Sequence, residues 1–107
     1  DAYEWQNQLW VYLQLMDGGS LTNFVNENAE SLPENVCAYI LRQVLSGLDF
    51  LHSKGIIHRD LKSDNILYNH KGEIKLADFG FATQMTKNKV GSNEQVGTAH
   101  WMAPELI

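Results

Sequence analysis

His58-Arg59-Asp60-Leu61-Lys62-Ser63-Asp64-Asn65 decides how the rest of the chain is read. A histidine, an arginine, two carboxylates, a lysine and a carboxamide crowd into eight positions, with Ile56-Ile57 before them and Ile66-Leu67 after. Charges at that density make a poor core, because each must be paired or hydrated. They suit a place where anionic phosphates and a divalent cation meet. Two further motifs follow in order, Asp78-Phe79-Gly80 and Ala103-Pro104-Glu105, with a long polar segment between them.

The chain has 107 residues, a formal net charge of −5 and 44% hydrophobic residues. That is a globular composition, enough for one small domain at most. Lys and Arg are few and scattered, with no basic stripe, so no nucleic-acid partner is expected. Cys37 is the one cysteine, which excludes an internal disulfide and fits a reducing, cytoplasmic setting. No apolar run approaches the ~20 residues of a membrane span. The chain opens mid-pattern without Met and ends on Ala-Pro-Glu-Leu-Ile, so it reads as a piece of a larger protein.

Residues 1–15 read as a hairpin: a short strand over 3–5, a turn at Gln6-Asn7-Gln8, and a strand over 9–15. In the second strand Leu9, Val11, Leu13 and Leu15 share one face, and period two argues for a strand. Gly18-Gly19 breaks it, and residues 21–26 read as a short helix. Ser31-Leu32-Pro33-Glu34 matches a capping box. From there Val36, Ile40, Val44, Leu48 and Leu51 recur at helical spacing, backed by Leu41 and Leu45. The spacing predicts a largely buried helix over 32–53, stopped by Lys54 and Gly55. Residues 66–68 and 73–77 read as a second hairpin around Asn69-His70-Lys71-Gly72. Residues 81–96 are polar and aperiodic, as a functional or disordered loop is. Asp17 reads as a solvated turn residue, and Trp5, Trp10 and Trp101 as core or lobe-contact residues.

The chemistry follows from residue type. Asp60 can accept a proton from a substrate hydroxyl. Lys62, two positions on, can set its ammonium against a phosphoryl group in transfer. Asn65 offers a neutral oxygen and Asp78 a charged one, and hard oxygen ligands suit Mg²⁺. Thr98 can hydrogen-bond both Asp60 and Lys62 once its loop folds back.

These motifs resemble those of eukaryotic protein kinases over the whole chain: H-R-D-x-x-x-x-N at 58–65, D-F-G at 78–80 and A-P-E at 103–105. Leu9-Trp10-Val11, Gly18-Gly19-Ser20-Leu21-Thr22, Ser63-Asp64 and Trp101-Met102-Ala103 are similar to the PAK-like (sterile-20-like) serine/threonine group. The resemblance implies an α+β, protein-kinase-like fold, partial: the hinge hairpin of the N-lobe, the helical first half of the C-lobe, the catalytic loop and the activation segment. It divides the chain into N-lobe strands and gatekeeper (1–15), hinge (16–20), C-lobe helices (21–55), catalytic loop and hairpin (56–77) and activation segment (78–105). ATP and Mg²⁺ are the implied cofactors, and proteins with Ser or Thr acceptors the implied substrates. A small GTPase acting through regions outside this chain is an implied regulator.

By the same resemblance Leu13 falls at the gatekeeper, Gln14 and Met16 bind the adenine edge through their backbone, Ser20 lies near the ribose, and Leu67 lies beneath the adenine. Phe79 would stack with His58, and Arg59, Phe79, Gly80 and Glu94 are regulatory positions. The glycine-rich loop, the strand lysine and its glutamate partner do not occur in this chain. His100, after Ala99, replaces the family's Tyr on the surface that presents substrate. Glu94 stands where the PAK group has its activating phosphothreonine. The hypothesis is that Glu94 substitutes for the phosphate by pairing with Arg59, at −1 against about −1.5 to −2 for phosphothreonine. Glu94→Gln in the full-length protein should then lower activity; unchanged activity in dephosphorylated protein rules the idea out. The plain alternative is a solvated loop residue, and Thr83, Thr86 and Ser92 remain candidate phosphorylation sites.

Two other functions compete. One is a pseudokinase scaffold that binds nucleotide or partners without turnover; intact Asp60, Lys62, Asn65 and Asp78 count against it. The other is a small-molecule phosphotransferase; Arg59, Lys62 and residues 101–105 count against that. The 107-residue piece is expected to be poorly folded and inactive alone, since strand 9–15 would keep exposed edges.

Overall fold

The computed structural model describes residues 1–85 and 96–107. Their elements run β1 (Ala2–Trp5), β2 (Gln8–Val11), β3 (Gly19–Ser20), α1 (Leu21–Asn28), α2 (Glu34–Ser53), β4 (Ile56–Ile57), β5 (Ile66–Tyr68), β6 (Ile74–Leu76) and β7 (Thr83–Gln84). Three single-turn 3₁₀ segments, Ser63–Asn65, Ala99–Trp101 and Pro104–Leu106, complete the described chain. This is the mixed α and β content expected of a partial kinase-like fold. Residues 86–95, which include Thr86, Ser92 and Glu94, lie outside the described residues, and so does the expected Glu94–Arg59 pairing.

Helix α2 is the frame. Ile40, Val44 and Leu51 are buried along one side, and Val36 and Leu48 pack beside the cluster of Ile40, Val44 and Ile66. Leu21 and Phe24 from α1 and Ile74 and Leu76 from β6 close that cluster. Each such side chain contributes about 1.5–3 kcal/mol when fully buried. The stripe is narrower than the sequence suggests, because Leu41 is 60% and Leu45 63% exposed. Leu41 lines an open groove with Leu21 and Val25 of α1 that no described residue fills.

The helix also starts later than its pattern. Pro33, extended at φ −69° and ψ 146°, is the capping residue and makes no side-chain cap bond. Its fixed φ suits that boundary, and it leaves Ser31 too far back to reach the first turn, so the capping box does not form. The other end is as expected. Gly55 takes φ +71° and its N–H bonds the His52 carbonyl at 2.9 Å, a left-handed stop that favours glycine. α1 runs two residues beyond the predicted end, to Asn28, and the Ser20 side chain caps its start by accepting from Asn23 N–H.

β5 and β6 form the predicted hairpin, with Ile66 opposite Leu76 and Tyr68 opposite Ile74. The third strand of that sheet is β3, where Gly19 faces Tyr68 and Ser20 faces Leu67. Of the flexible or tightly turned connection expected there, the structure shows the tight one, with Gly19 N–H bonded to the Met16 carbonyl at 3.2 Å. The double glycine has a specific reason: a Cβ on Gly18 would come 2.3 Å from the Tyr68 ring, and Gly19 takes φ +84°. β4 pairs with β7, Ile57 opposite Thr83, so the aperiodic stretch begins with an ordered strand.

The first hairpin differs most from expectation. Gln6 and Asn7 alone make the turn, both left-handed at φ 50° and 59°, the geometry that two-residue hairpin loops need. Gln8 belongs to β2, and β2 ends at Val11 rather than Leu15. Tyr12 N–H still reaches the Asp1 carbonyl at 2.8 Å, but among the described residues no strand pairs with 13–15. Leu9, Val11, Leu13 and Leu15 are 74%, 54%, 84% and 81% exposed, so the apolar face is present and uncovered. Trp5, Trp10 and Trp101 are exposed as well, 66%, 51% and 53%, not core residues.

Candidate functional site

The loop between β4 and β5 is held by a buried histidine. His58, 2% exposed, accepts at Nδ1 from the Asp60 backbone N–H at 3.2 Å. Nε2 therefore carries the proton and donates to the Ala77 carbonyl at 2.8 Å. Ala77 N–H in turn donates to the Asn65 carbonyl at 2.8 Å. Both ends of the charged loop are thus tied to the residue just before Asp78. Arg59 takes a left-handed φ of 66°, uncommon outside glycine, and its Nε donates to the Phe81 carbonyl.

Asp60 is 5% exposed and fully partnered. Oδ1 accepts from the Thr98 hydroxyl at 2.6 Å. Oδ2 lies 3.3 Å from Lys62 Nζ and accepts from Asn65 Nδ2 at 3.2 Å. Lys62 Nζ also donates to Thr98 Oγ1 at 2.8 Å, and Asn65 Nδ2 to the Asp60 main-chain carbonyl at 2.9 Å. The Thr98 hydroxyl holds the Asp60 carboxyl below the usual carboxylate range; burial opposes it, and Lys62 and Asn65 add to it. The cause is hydrogen bonding to the charged form. Gly97 lets Thr98 come this close: at φ 129°, its Cβ position lies 2.9 Å from the Arg59 carbonyl oxygen. A cavity of about 310 Å³ lies beside the cluster, lined by Asp60, Thr98, Leu61, Trp101 and Met102 among others.

Asp78, next in sequence to Ala77, is exposed and left-handed at φ 57°. Its Oδ1 accepts from Gly80 N–H at 3.2 Å, and Phe79 meets His58 with ring centroids 5.0 Å apart. Asn65 commits its amide nitrogen to Asp60, which leaves Oδ1 as the atom free to ligate. No group of three or more His, Cys, Asp or Glu that could hold an ion occurs among the described residues. One carboxylate and one carboxamide oxygen instead fit a hard cation that keeps much of its shell from water and phosphate, as Mg²⁺ does.

The residues expected on the nucleotide side are more dispersed. Ser20 and Leu67 face each other across β3 and β5, and the Ser20 hydroxyl oxygen is engaged with Asn23 N–H at 3.4 Å. Met16 is half-buried, and its carbonyl accepts from Gly19 N–H at 3.2 Å. Gln14 Nε2 donates to Glu73 Oε2 at 3.0 Å. Leu13, 84% exposed, stands apart from the others. The structure therefore gathers Asp60, Lys62, Asn65 and Thr98 in one cluster, links Asp78 and Phe79 to it through Ala77 and His58, and pairs Ser20 with Leu67.

Several polar residues escaped the sequence reading. Asp17, taken as solvated, accepts from His70 N–H at 3.0 Å. Asn69 is 7% exposed, and its Oδ1 accepts from Lys71 and Glu73 N–H. An Asn opening a turn was the available signal, since its side chain can bond the backbone two residues on. Thr22 Oγ1 meets Ser63 Oγ at 2.7 Å and donates to Asp64 Oδ1 at 2.8 Å, which ties α1 to the charged loop.

A family model described as protein kinase domain matches residues 1–107. The chain is 51% identical over its whole length to serine/threonine-protein kinase pakA of Talaromyces marneffei, covering 16% of that protein. It is 48% identical over its whole length to serine/threonine-protein kinase STE20 of Saccharomyces cerevisiae, covering 11%. It is 50% identical over its whole length to serine/threonine-protein kinase ste20 of Emericella nidulans, covering 12%. The chain thus spans about a sixth or less of the length of these curated relatives. No helix among the described residues is long and apolar enough to cross a membrane.

Proposed function

We propose, on the premise that this chain belongs to the protein kinase family, that the full-length protein moves the γ-phosphoryl group of ATP to Ser or Thr hydroxyls of proteins. The observation that supports this most is the buried cluster of Asp60, Lys62, Thr98 and Asn65. A carboxylate kept ionised by three partners is suited to take the proton of an incoming hydroxyl. Lys62, balanced between Asp60 and Thr98, presents positive charge where phosphoryl oxygens would lie. Thr98 orients both. Asn65 and Asp78 are the residues that would hold Mg²⁺. Leu13, Gln14, Met16, Ser20 and Leu67 would hold the adenosine, and Arg59, Phe79 and Gly80 would govern the activation segment. When bound, magnesium neutralises the β- and γ-phosphates.

Protein substrates, regulation by a small GTPase through regions outside this chain, and a cytoplasmic setting belong to the same proposal. The names of the relatives, serine/threonine-protein kinases throughout, support its acceptor class. The test is an assay of the full-length protein with ATP, magnesium and basic peptides carrying Ser or Thr. Phosphate transfer is expected. Nucleotide binding without transfer would instead favour a scaffold without turnover.

The pH dependence follows from Asp60. Its carboxyl is held down chiefly by Thr98, so it stays ionised as pH falls and loses its proton-accepting form only below the usual carboxylate range. Thr98→Val removes the largest of these influences and raises that pKa. The acid limb of kcat/KM should move to higher pH, alongside a drop in kcat. An acid limb that stays in place would show that Asp60 does not set it.

A further inference from the structure

The turn between β5 and β6 is more firmly built than a surface connection requires. Asn69 organises it from inside: its Oδ1 accepts from Lys71 N–H at 3.1 Å and from Glu73 N–H at 2.9 Å. Its backbone N–H bonds the Glu73 carbonyl at 3.1 Å, and its carbonyl accepts from Gly72 N–H at 3.0 Å. Its side-chain nitrogen donates to the Glu73 carboxylate. Gly72 closes the turn at φ +82°, and the Tyr39 hydroxyl of α2 donates to the Gly72 carbonyl at 2.7 Å. The turn is fastened to the helical frame.

From this fixed turn and the strand before it, bonds reach back across fifty or more residues to the segment that joins the first hairpin to the rest. Glu73 Oε2 accepts from Gln14 Nε2 at 3.0 Å, 59 residues away in sequence. Asp17 Oδ1 accepts from His70 N–H at 3.0 Å, 53 residues away. Gly18 N–H bonds the Tyr68 carbonyl at 3.0 Å. The same Glu73 oxygen takes both the Asn69 and the Gln14 donors, so it couples the rigid turn directly to the connecting segment. A carboxylate acceptor makes these bonds stronger than neutral ones.

We propose that Glu73 and Asp17 form a two-point latch that holds the segment from Gln14 to Asp17 against the β5–β6 turn. Glu73 is a positioning residue for nucleotide binding: through the Gln14 side chain it fixes the backbone of Gln14 and Met16. The inference rests on the proposed kinase reading, which assigns that backbone to the adenine edge. Glu73 touches no reacting atom, so its loss acts on binding and not on the transfer step. Removing an interaction made equally in the ground and transition states raises KM and spares kcat.

The test uses full-length protein and compares Glu73→Ala, Gln14→Ala and the pair. Both side chains are exposed, so folding is not at stake. Glu73→Ala should raise KM for ATP about 3- to 10-fold, the scale of one exposed charge-assisted hydrogen bond. Its kcat and its KM for the peptide should stay within about twofold of the unaltered protein. Gln14→Ala should raise KM for ATP similarly, and the double variant no further than Glu73→Ala alone, because both substitutions remove the Gln14–Glu73 bond. Glu73→Gln, which keeps an acceptor oxygen, should recover part of the loss. An unchanged KM for ATP in Glu73→Ala, or single effects that multiply in the double variant, would overturn the latch while leaving the kinase reading intact. No transfer and no nucleotide binding by the unaltered protein would instead overturn the reading, and the latch with it.

Discussion

Asp60→Asn in the full-length protein should lower the rate of phosphate transfer about 10²- to 10⁴-fold, the contribution of a positioned general base. The substitution is close to isosteric, and the side chain is 5% exposed, so no cavity is created. An amide oxygen can still accept from the Thr98 hydroxyl, which now sits 2.6 Å from Oδ1. What disappears is the negative charge, and with it both the proton acceptor and the counter-charge for Lys62, 3.3 Å away. Nucleotide affinity should change little, because Asp60 is assigned no contact with the adenosine. Initial rates at saturating ATP, beside a binding titration, separate these effects. A variant that transfers phosphate within about tenfold of the unaltered protein would remove Asp60 from the role of base.

Asp78→Ala is expected to act on magnesium instead. On the proposed reading Asn65 and Asp78 hold that ion, and only Asp78 brings charge. A metal at a phosphoryl centre is worth several kcal/mol. At about 1.4 kcal/mol per factor of ten, transfer should fall about 10²- to 10³-fold. The sharper readout is nucleotide binding titrated with and without magnesium. The unaltered protein should bind more tightly with the ion, and Asp78→Ala should show little difference. The role fails if the magnesium dependence survives the substitution.

The residues of this site were legible because most of them are contiguous. Asp60, Lys62 and Asn65 fall within one eight-residue stretch, and charge density alone marks that stretch as unsuited to a core. Thr98 was legible only through motif order, since nothing local to residue 98 signals a fold back to residue 60. Helix α2 was legible from five apolar positions at one spacing. Its exposed Leu41 and Leu45 were not, because periodicity reports which residues share a face and not which neighbours cover it. The strand over 9–15 shows the same limit: the alternation is real, but a strand extends only as far as its partner.

The two-residue strands β3, β4 and β7 have no periodicity to detect. They exist because distant backbones meet, as Gly19 meets Tyr68. The Gln14–Glu73 bond is hidden for the same reason, and Glu73 looked like the polar start of a strand. Asp17 shows the bias of a composition argument: a carboxylate beside two glycines reads as solvated, yet it anchors a distant amide.

Arg59 and Asp78 both hold backbone angles that side-chain-bearing residues seldom adopt, φ 66° and 57°. Each such residue stores on the order of 1–3 kcal/mol. The loop is therefore a sprung assembly, kept wound by the His58 and Asn65 bonds to Ala77. Damage to those fastenings, even at positions far from any reacting atom, can let it relax and aim its charges elsewhere while the long helix stays whole.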